Sequence, residues 1–221
     1  MPETRHPSLI SAPLPAVILA GGLSRRMGSP KSDLKLGGRT MLSHIIERLR
    51  PQVTSIAVNL NAEPAYAIGG NTPVIADTVP GFLGPLAGVL TAMRHVAVSA
   101  PEASHVVVVP TDTPFFPEDL VARLAGALTQ PQQIAVAASV GQMHPLFALW
   151  PVALADDLES WLTNDPKRRV RAFIERHASV TVDFPVTMTP KGAFDPFFNV
   201  NTPADLTEAE EWSSLFKGRN A

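Results

Sequence analysis

The sequence predicts an α/β fold built on a mostly parallel sheet with helices on both faces. Three observations carry this. Strand-like and helix-like segments alternate in repeated β-α-β order, which implies right-handed crossovers and a parallel sheet. The strand candidates, above all Val17-Ile18-Leu19 and the four valines of His105 to Val109, are apolar on both parities, as strands covered on both faces require. The helix candidates, in contrast, are apolar along one stripe only.

The elements follow in order. A strand at Ala16 to Leu19 opens into a glycine-rich loop, and Met41 to Arg50 places Met41, Leu42, Ile45, Ile46 and Leu49 on one helical face before Pro51 stops it. Val53 to Asn59 reads as a strand, and after a Pro/Gly/Asn-rich stretch a short strand, Val74 to Ala76, ends at Asp77. A helix begins near Pro85, where proline suits the first turn, and carries Leu86, Val89, Leu90 and Met93 on a shared face. His105 to Val109 is the central strand. Pro117 starts another helix, Ile134 to Ser139 and Leu146 to Trp150 are strands, and two helices flank the break at Asn164-Asp165-Pro166. A final strand precedes Thr202-Pro203-Ala204-Asp205, a helix start with Thr202 as the cap.

At 221 residues the chain suits a single domain, expected over 16–221, with residues 1–15 as a flexible tail. Hydrophobic residues make up 45% and charged residues 17%, the balance of a globular protein, and the net charge of −2 leaves no global basic field for nucleic acid. Charge is nevertheless uneven. Leu23 to Arg39 holds five basic residues against one acid, and Lys167 to Arg176 again five against one. With no cysteine there are no disulfides, no thiol nucleophile and no thiolate metal site. No apolar run approaches the roughly 20 residues that span a bilayer, and no signal-peptide core is present, so a cytoplasmic location is expected.

The chemistry concentrates past the strand ends. Gly21, Gly22 and Gly28 remove the side chains that would keep backbone amides from a ligand, while Arg25, Arg26 and Lys31 bring fixed positive charge to the same loop; polyphosphate fits this combination. The loop is neither a Walker A motif nor a dinucleotide fingerprint, because no Gly-Lys-Ser/Thr follows and the glycine spacing differs. In an open α/β sheet ligands sit beyond the carboxyl ends of the strands, so this loop, Asn59, Asp77 and Asp112 should share one crevice. Asp112, in Val109-Pro110-Thr111-Asp112-Thr113-Pro114, can be read in two ways. It is either a carboxylate holding Mg²⁺ together with substrate phosphates, or an Asx-type turn leading into Pro114. The six histidines are scattered without metal-ligand spacing, and Trp150, Trp161, Trp212, Phe194, Phe197 and Phe198 are read as packing.

Five stretches taken together resemble a known family. Leu19-Ala20-Gly21-Gly22, Arg25-Arg26-Met27-Gly28 with Lys31, Gly84-Pro85-Leu86-Ala87-Gly88, Asp112-Thr113-Pro114 and Asn199-Val200-Asn201-Thr202-Pro203 are similar in order and spacing to the molybdenum cofactor guanylyltransferases. The likeness runs from residue 16 to about 207. It implies a Rossmann-like nucleotidyltransferase fold and transfer of GMP from GTP to molybdopterin, with Mg²⁺ (or Mn²⁺) as cofactor and pyrophosphate as co-product.

Position by position, the resemblance puts nucleotide contacts on Leu19, Ala20, Gly21, Gly22, Lys31, Asn59, Asp77 and Asp112, the metal on Asp112, and catalytic charge on Arg26, Lys31 and Asp112. Gly84, Gly88, Arg168, Arg169, Asn199 and Asn201 would face the pterin. Pro30 departs from relatives that carry aspartate before the lysine. The same likeness implies GTP and molybdopterin as the partners, with transient contacts to other proteins of molybdenum cofactor biosynthesis; a monomer is expected because the sequence shows no exposed apolar stripe. A cytidylyltransferase or sugar-1-phosphate nucleotidyltransferase of the same fold, or a non-catalytic nucleotide-binding domain, are the alternatives.

Overall fold

The computed structural model describes residues 14–21, 34–62, 68–69, 72–79, 84–164 and 169–217. The first strand, β1 (Ala16–Leu19), is buried along its whole length, and its side chains alternate between two separate apolar clusters. Ala16 and Ile18 point into one, Val17 and Leu19 into the other. A short hairpin follows, β2 (Lys35–Leu36) with β3 (Arg39–Thr40), and leads into α1 (Met41–Leu49), capped by the Thr40 side chain accepting from the Ser43 N–H. Then come β4 (Ile56–Asn59), β5 (Val74–Ile75), α2 (Pro85–Ser99) and β6 (His105–Pro110).

The second half contains α3 (Leu120–Gly126), β7 (Ile134–Ser139), β8 (Gln142–Pro151), α4 (Ala155–Asn164) and α5 (Val170–Ile174). It ends with β9 (Ser179–Asp183), a second hairpin of β10 (Thr187–Thr189) and β11 (Gly192–Phe194), and α6 (Pro203–Lys217). Seven strands form the main sheet in the order β5-β4-β1-β6-β8-β7-β9, in which β8 runs antiparallel to both neighbours and every other pairing is parallel.

Both faces of this sheet are covered, as the sequence predicts. Leu42, Ile45 and Leu49 of α1 and Leu120 and Leu124 of α3 pack on one side. On the other are Leu86, Val89, Leu90 and Met93 of α2, Leu158 and Leu162 of α4, and Phe173 and Ile174 of α5. A third cluster joins Leu36, Met41, Phe115, Phe194 and Val200 to Ala209 and Trp212 of α6. Trp150, Phe194, Phe197 and Trp212 are buried, so the packing reading of these aromatics holds.

Four differences from the sequence reading have physical causes. The valine strand is central, but only β1 runs parallel to it; β8 returns beside it after a two-residue turn in which Val140 (φ 49°) and Gly141 (φ 72°) are both left-handed. That twist suits a hairpin, yet a β-branched residue there hides the turn from sequence inspection. Pro117 precedes its helix by a turn, the Leu120 N–H bonding to the Pro117 carbonyl. The final strand before α6 is β11, the second arm of a short hairpin, and an irregular segment separates it from the helix. Finally, Leu14 is buried and Leu14 and Pro15 accept from the Thr54 and Val107 N–H groups, so the sheet's pairing begins before residue 16.

Candidate functional site

Parallel pairing aligns the carboxyl ends of β1, β4, β5 and β6, with Leu19 opposite both Asn59 and Pro110, and Asn59 opposite Ile75. The residues just beyond therefore converge. Asn59 is 4% exposed; its Nδ2 donates to the Ile75 carbonyl at 3.2 Å and to Asp77 Oδ1 at 2.9 Å. Asn61 approaches the same carboxylate from the other side. Its Nδ2 donates to Asp77 Oδ2 at 2.7 Å, and its Oδ1 accepts from the Asp77 N–H at 2.8 Å. Each Asp77 oxygen thus receives one amide donor and, having two lone pairs, keeps one acceptor position.

Two glycines shape the ground beneath this pair. Gly84 has φ 77° and ψ −166° at the N-cap of α2, a region essentially restricted to glycine, and Pro85 occupies the first turn after it. Gly88 lies in α2 directly against the strand ends, where a Cβ would sit 2.7 Å from Asn59 Oδ1 and 2.8 Å from Leu19 Cδ2. The structure therefore brings Gly88 to Asn59 and Leu19, two of the positions that the resemblance gives to the nucleotide, although the same resemblance assigns Gly88 to the pterin.

Asp112 follows β6, and its surroundings tie it to a distant segment. The Thr113 hydroxyl lies 3.2 Å from Asp112 Oδ1 and also donates to Asn199 Oδ1, while the Val200 N–H donates to the Asp112 carbonyl at 2.8 Å. Thr111 reaches back to the Leu19 carbonyl at 3.4 Å. Asn201 and Thr202 donate their N–H groups to Asp205 Oδ2, both at 2.8 Å, and the Asp205 N–H returns a bond to the Thr202 hydroxyl at 3.2 Å. This reciprocal cap fixes the start of α6 and with it the backbone of the Asn199–Asn201 stretch.

A further polar group beside this segment escaped sequence reasoning. Ser139, fully buried at the end of β7, lies 2.8 and 2.9 Å from the two Asp195 oxygens and 2.7 Å from His144 Nε2. A single hydroxyl hydrogen serves the carboxylate, so His144 donates through Nε2–H. The His144 ring stacks on Phe197 at 4.4 Å, and Asp195 also accepts from the Phe197 N–H at 2.9 Å. Burial pulls the His144 imidazole below its ordinary pKa, against the charge of Asp195. Burial thus favours the neutral ring.

The structure accordingly brings together Leu19, Ala20, Gly21, Asn59, Asp77, Gly84 and Gly88 at one end of the sheet, with Asp112, Asn199 and Asn201 on the adjoining strand exit. Gly22, Arg26, Lys31 and Arg168 lie outside the described residues. Arg169 is exposed at the N-cap of α5, and its neighbours Arg171 and Arg176 pair with Glu175 and Asp157. A cavity of about 450 Å³ lined by Ala16, Val53, Ile56 and Val96 opens at the opposite, amino-terminal end of the strands, away from every one of these carboxylates.

The match to known proteins agrees with this arrangement. The profile of the family described as MobA-like NTP transferase domain matches residues 16–180. The chain belongs to this family. A molybdenum cofactor guanylyltransferase of Sinorhizobium fredii is 66% identical over 198 residues, covering 90% of this chain and 91% of its own. One from Rhizobium meliloti is 61% identical over 216 residues, covering 98% and 99%. Among solved structures, molybdopterin-guanine dinucleotide biosynthesis protein A of Archaeoglobus fulgidus superposes with a TM-score of 0.68 at 26% identity, covering 91% of this chain and 99% of its own. As a MobA-like NTP transferase domain the chain carries a nucleotidyltransferase site, and the carboxyl-end crevice is where its fold puts one.

The donor set also bears on metal binding. Among the described residues no group of three or more histidine, aspartate or glutamate side chains could hold a metal ion. One carboxylate facing a polyphosphate is nonetheless the donor set Mg²⁺ accepts, because substrate oxygens and water complete its shell. Asp112 fits that requirement.

Proposed function

We propose that this chain transfers GMP from GTP to molybdopterin, releasing pyrophosphate and forming the guanine dinucleotide cofactor. The observation that carries the reading is the Asp77 carboxylate, held between Asn59 and Asn61 with one acceptor position left on each oxygen. Guanine offers an N1–H and a 2-amino group side by side, a donor pair that such a carboxylate can accept together. A polar match of this kind discriminates strongly, since a mismatched base leaves buried groups unpaired.

In the reaction an oxygen of the acceptor's terminal phosphate attacks the α-phosphorus of GTP, and the bond from that phosphorus to the bridging oxygen breaks as pyrophosphate leaves in line. A phosphate monoester with a second pKa of about 6 is already ionised at neutral pH, so no strong base has to act on it. What the protein supplies is position and positive charge between two anions. Leu19, Ala20 and Gly21 form the lip under the nucleotide, and Gly22, next in sequence, is a candidate nucleotide contact. Arg26 and Lys31 contribute charge from the same loop. A divalent cation on Asp112, Mg²⁺ or Mn²⁺, supplies neutralisation of phosphate charge when bound.

Asn199 and Asn201, with Gly84, Arg168 and Arg169, are the candidates for the pterin side, while Gly88 belongs with Asn59 and Leu19. The pinning of residues 199–201 to Asp112, Thr113 and Asp205 supports a fixed acceptor wall. The enzyme is expected to act as a single-domain monomer in the cytoplasm, with transient contacts to the proteins that deliver molybdopterin. No described helix is long and apolar enough to cross a membrane.

The test is pyrophosphate release. With Mg²⁺ and GTP, release should depend on molybdopterin, and CTP should not replace GTP. Equal turnover with CTP would remove the guanine assignment.

A further inference from the structure

Asn61 lies beyond β4 on the exposed surface, and its side-chain amide bonds twice to Asp77. Its amide bridges the main chain and the side chain of that one residue, Oδ1 taking the N–H and Nδ2 giving to the carboxylate. The pattern admits one orientation of the amide, because a flipped group would set its NH₂ against an N–H donor and its oxygen against a carboxylate. The carboxylate it meets would otherwise be loosely held. Rotation about an aspartate's terminal torsion is broad, and a single donor on one oxygen leaves the plane of the group free to swing. Asn59 supplies that first donor from a buried position on β4; Asn61 supplies the second, on the other oxygen, from the loop.

We infer that Asn61 is a positioning residue for base selection, holding the plane of the Asp77 carboxylate so that both oxygens meet the guanine edge at once. This rests on the reading of Asp77 as the carboxylate that accepts from guanine. The requirement is geometric: two parallel bonds to N1–H and the 2-amino group need both oxygens in the plane of the base, whereas one bond tolerates a rotated carboxylate. Loss of Asn61 should therefore weaken GTP more than a purine that offers only the N1–H.

Inosine triphosphate is that purine, identical to GTP except for the missing 2-amino group. The experiment measures KM and kcat for GTP and for inosine triphosphate, with molybdopterin and Mg²⁺, in the wild type, Asn61→Ala, Asp77→Ala and the double variant. The expected result is that Asn61→Ala lowers the preference for GTP about tenfold, through KM rather than kcat, and that the double variant is no worse than Asp77→Ala alone. Asn61→Asp keeps the size of the side chain but sets a second carboxylate against Asp77, and should lose at least as much preference. A shared fall in kcat or in Tm, with the GTP preference intact, would make Asn61 merely structural and overturn the inference. If Asp77→Ala abolishes the preference while Asn61→Ala leaves it whole, Asn61 plays no part and the guanine reading survives. If Asp77→Ala leaves the preference whole, both fall together.

Discussion

Gly88 and Asn59 are so close that a Cβ on the glycine would lie 2.7 Å from Asn59 Oδ1. Real Cβ atoms do not tolerate that distance, so the helix and the strand end fit only because residue 88 has no side chain. Gly88→Ala should push the Asn59 amide off Asp77 and raise the KM for GTP by about tenfold or more, with the fold kept. Steady-state kinetics with circular dichroism checks this; an unchanged KM would mean that the helix shifts and the amide does not.

In the proposed site Asp112 and Lys31 act through their charge. Removing one preorganised charge from such a site costs on the order of 10²–10³ in rate. Asp112→Ala and Lys31→Ala should both fold and lose most turnover, measured as pyrophosphate release. For Asp112→Ala the loss should not be recovered by raising Mg²⁺.

One buried and one half-buried histidine make stability depend on pH. Burial lowers His105, against a hydrogen bond to the Gln133 carbonyl, and lowers His144, against the charge of Asp195. The folded chain therefore binds protons less readily than the unfolded one, whose imidazoles titrate near about 6.5. The stabilisation is complete above that pH and is lost as pH falls below it, toward the folded-state values. Thermal melts should show Tm falling from pH 7.5 to 5.5, and His105→Gln should make the fall shallower. A flat profile would contradict the lowering of both imidazoles by burial.

Thr202 caps α6 and shares Asp205 with the Asn201 N–H. Thr202→Ala should cost about 1 kcal/mol, a Tm shift of roughly 2–4 °C for a chain of this size. Activity should fall by more than that destabilisation alone would cause if residues 199–201 form the acceptor wall. The comparison is made at a temperature well below both melting points.

Much of this was legible before the structure. A valine run and an apolar strand with both parities buried can only be central, and the rule that ligands lie past strand ends then groups Asn59, Asp77 and Asp112 without further information. Contacts made across the chain were not legible. Ser139, His144 and Asp195 meet although Ser139 and Asp195 are 56 positions apart, and nothing in their local sequence marks them as partners. Nothing local marks Asn61, because the residue it bonds to, Asp77, lies 16 positions on. Gly88 sits inside a well-formed helix, where only the tertiary approach of Leu19 and Asn59 explains it. The reversed strand was missed because Val140, not asparagine or aspartate, occupies the first left-handed position of its turn.

That reversed strand divides the sheet into parts with different freedom to change. The crossovers from β1 to β4 and from β5 to β6 carry α1 and α2, which fill the core, so length changes in those helices would disturb the packing. β7 and β8 meet in a two-residue turn at the rim, with Val140 69% exposed. Insertions at that hairpin would remodel the crevice wall and leave the strand ends under Asn59 and Asp77 untouched. A descendant of this architecture could thus exchange its acceptor by editing one rim loop while inheriting its nucleotide chemistry intact.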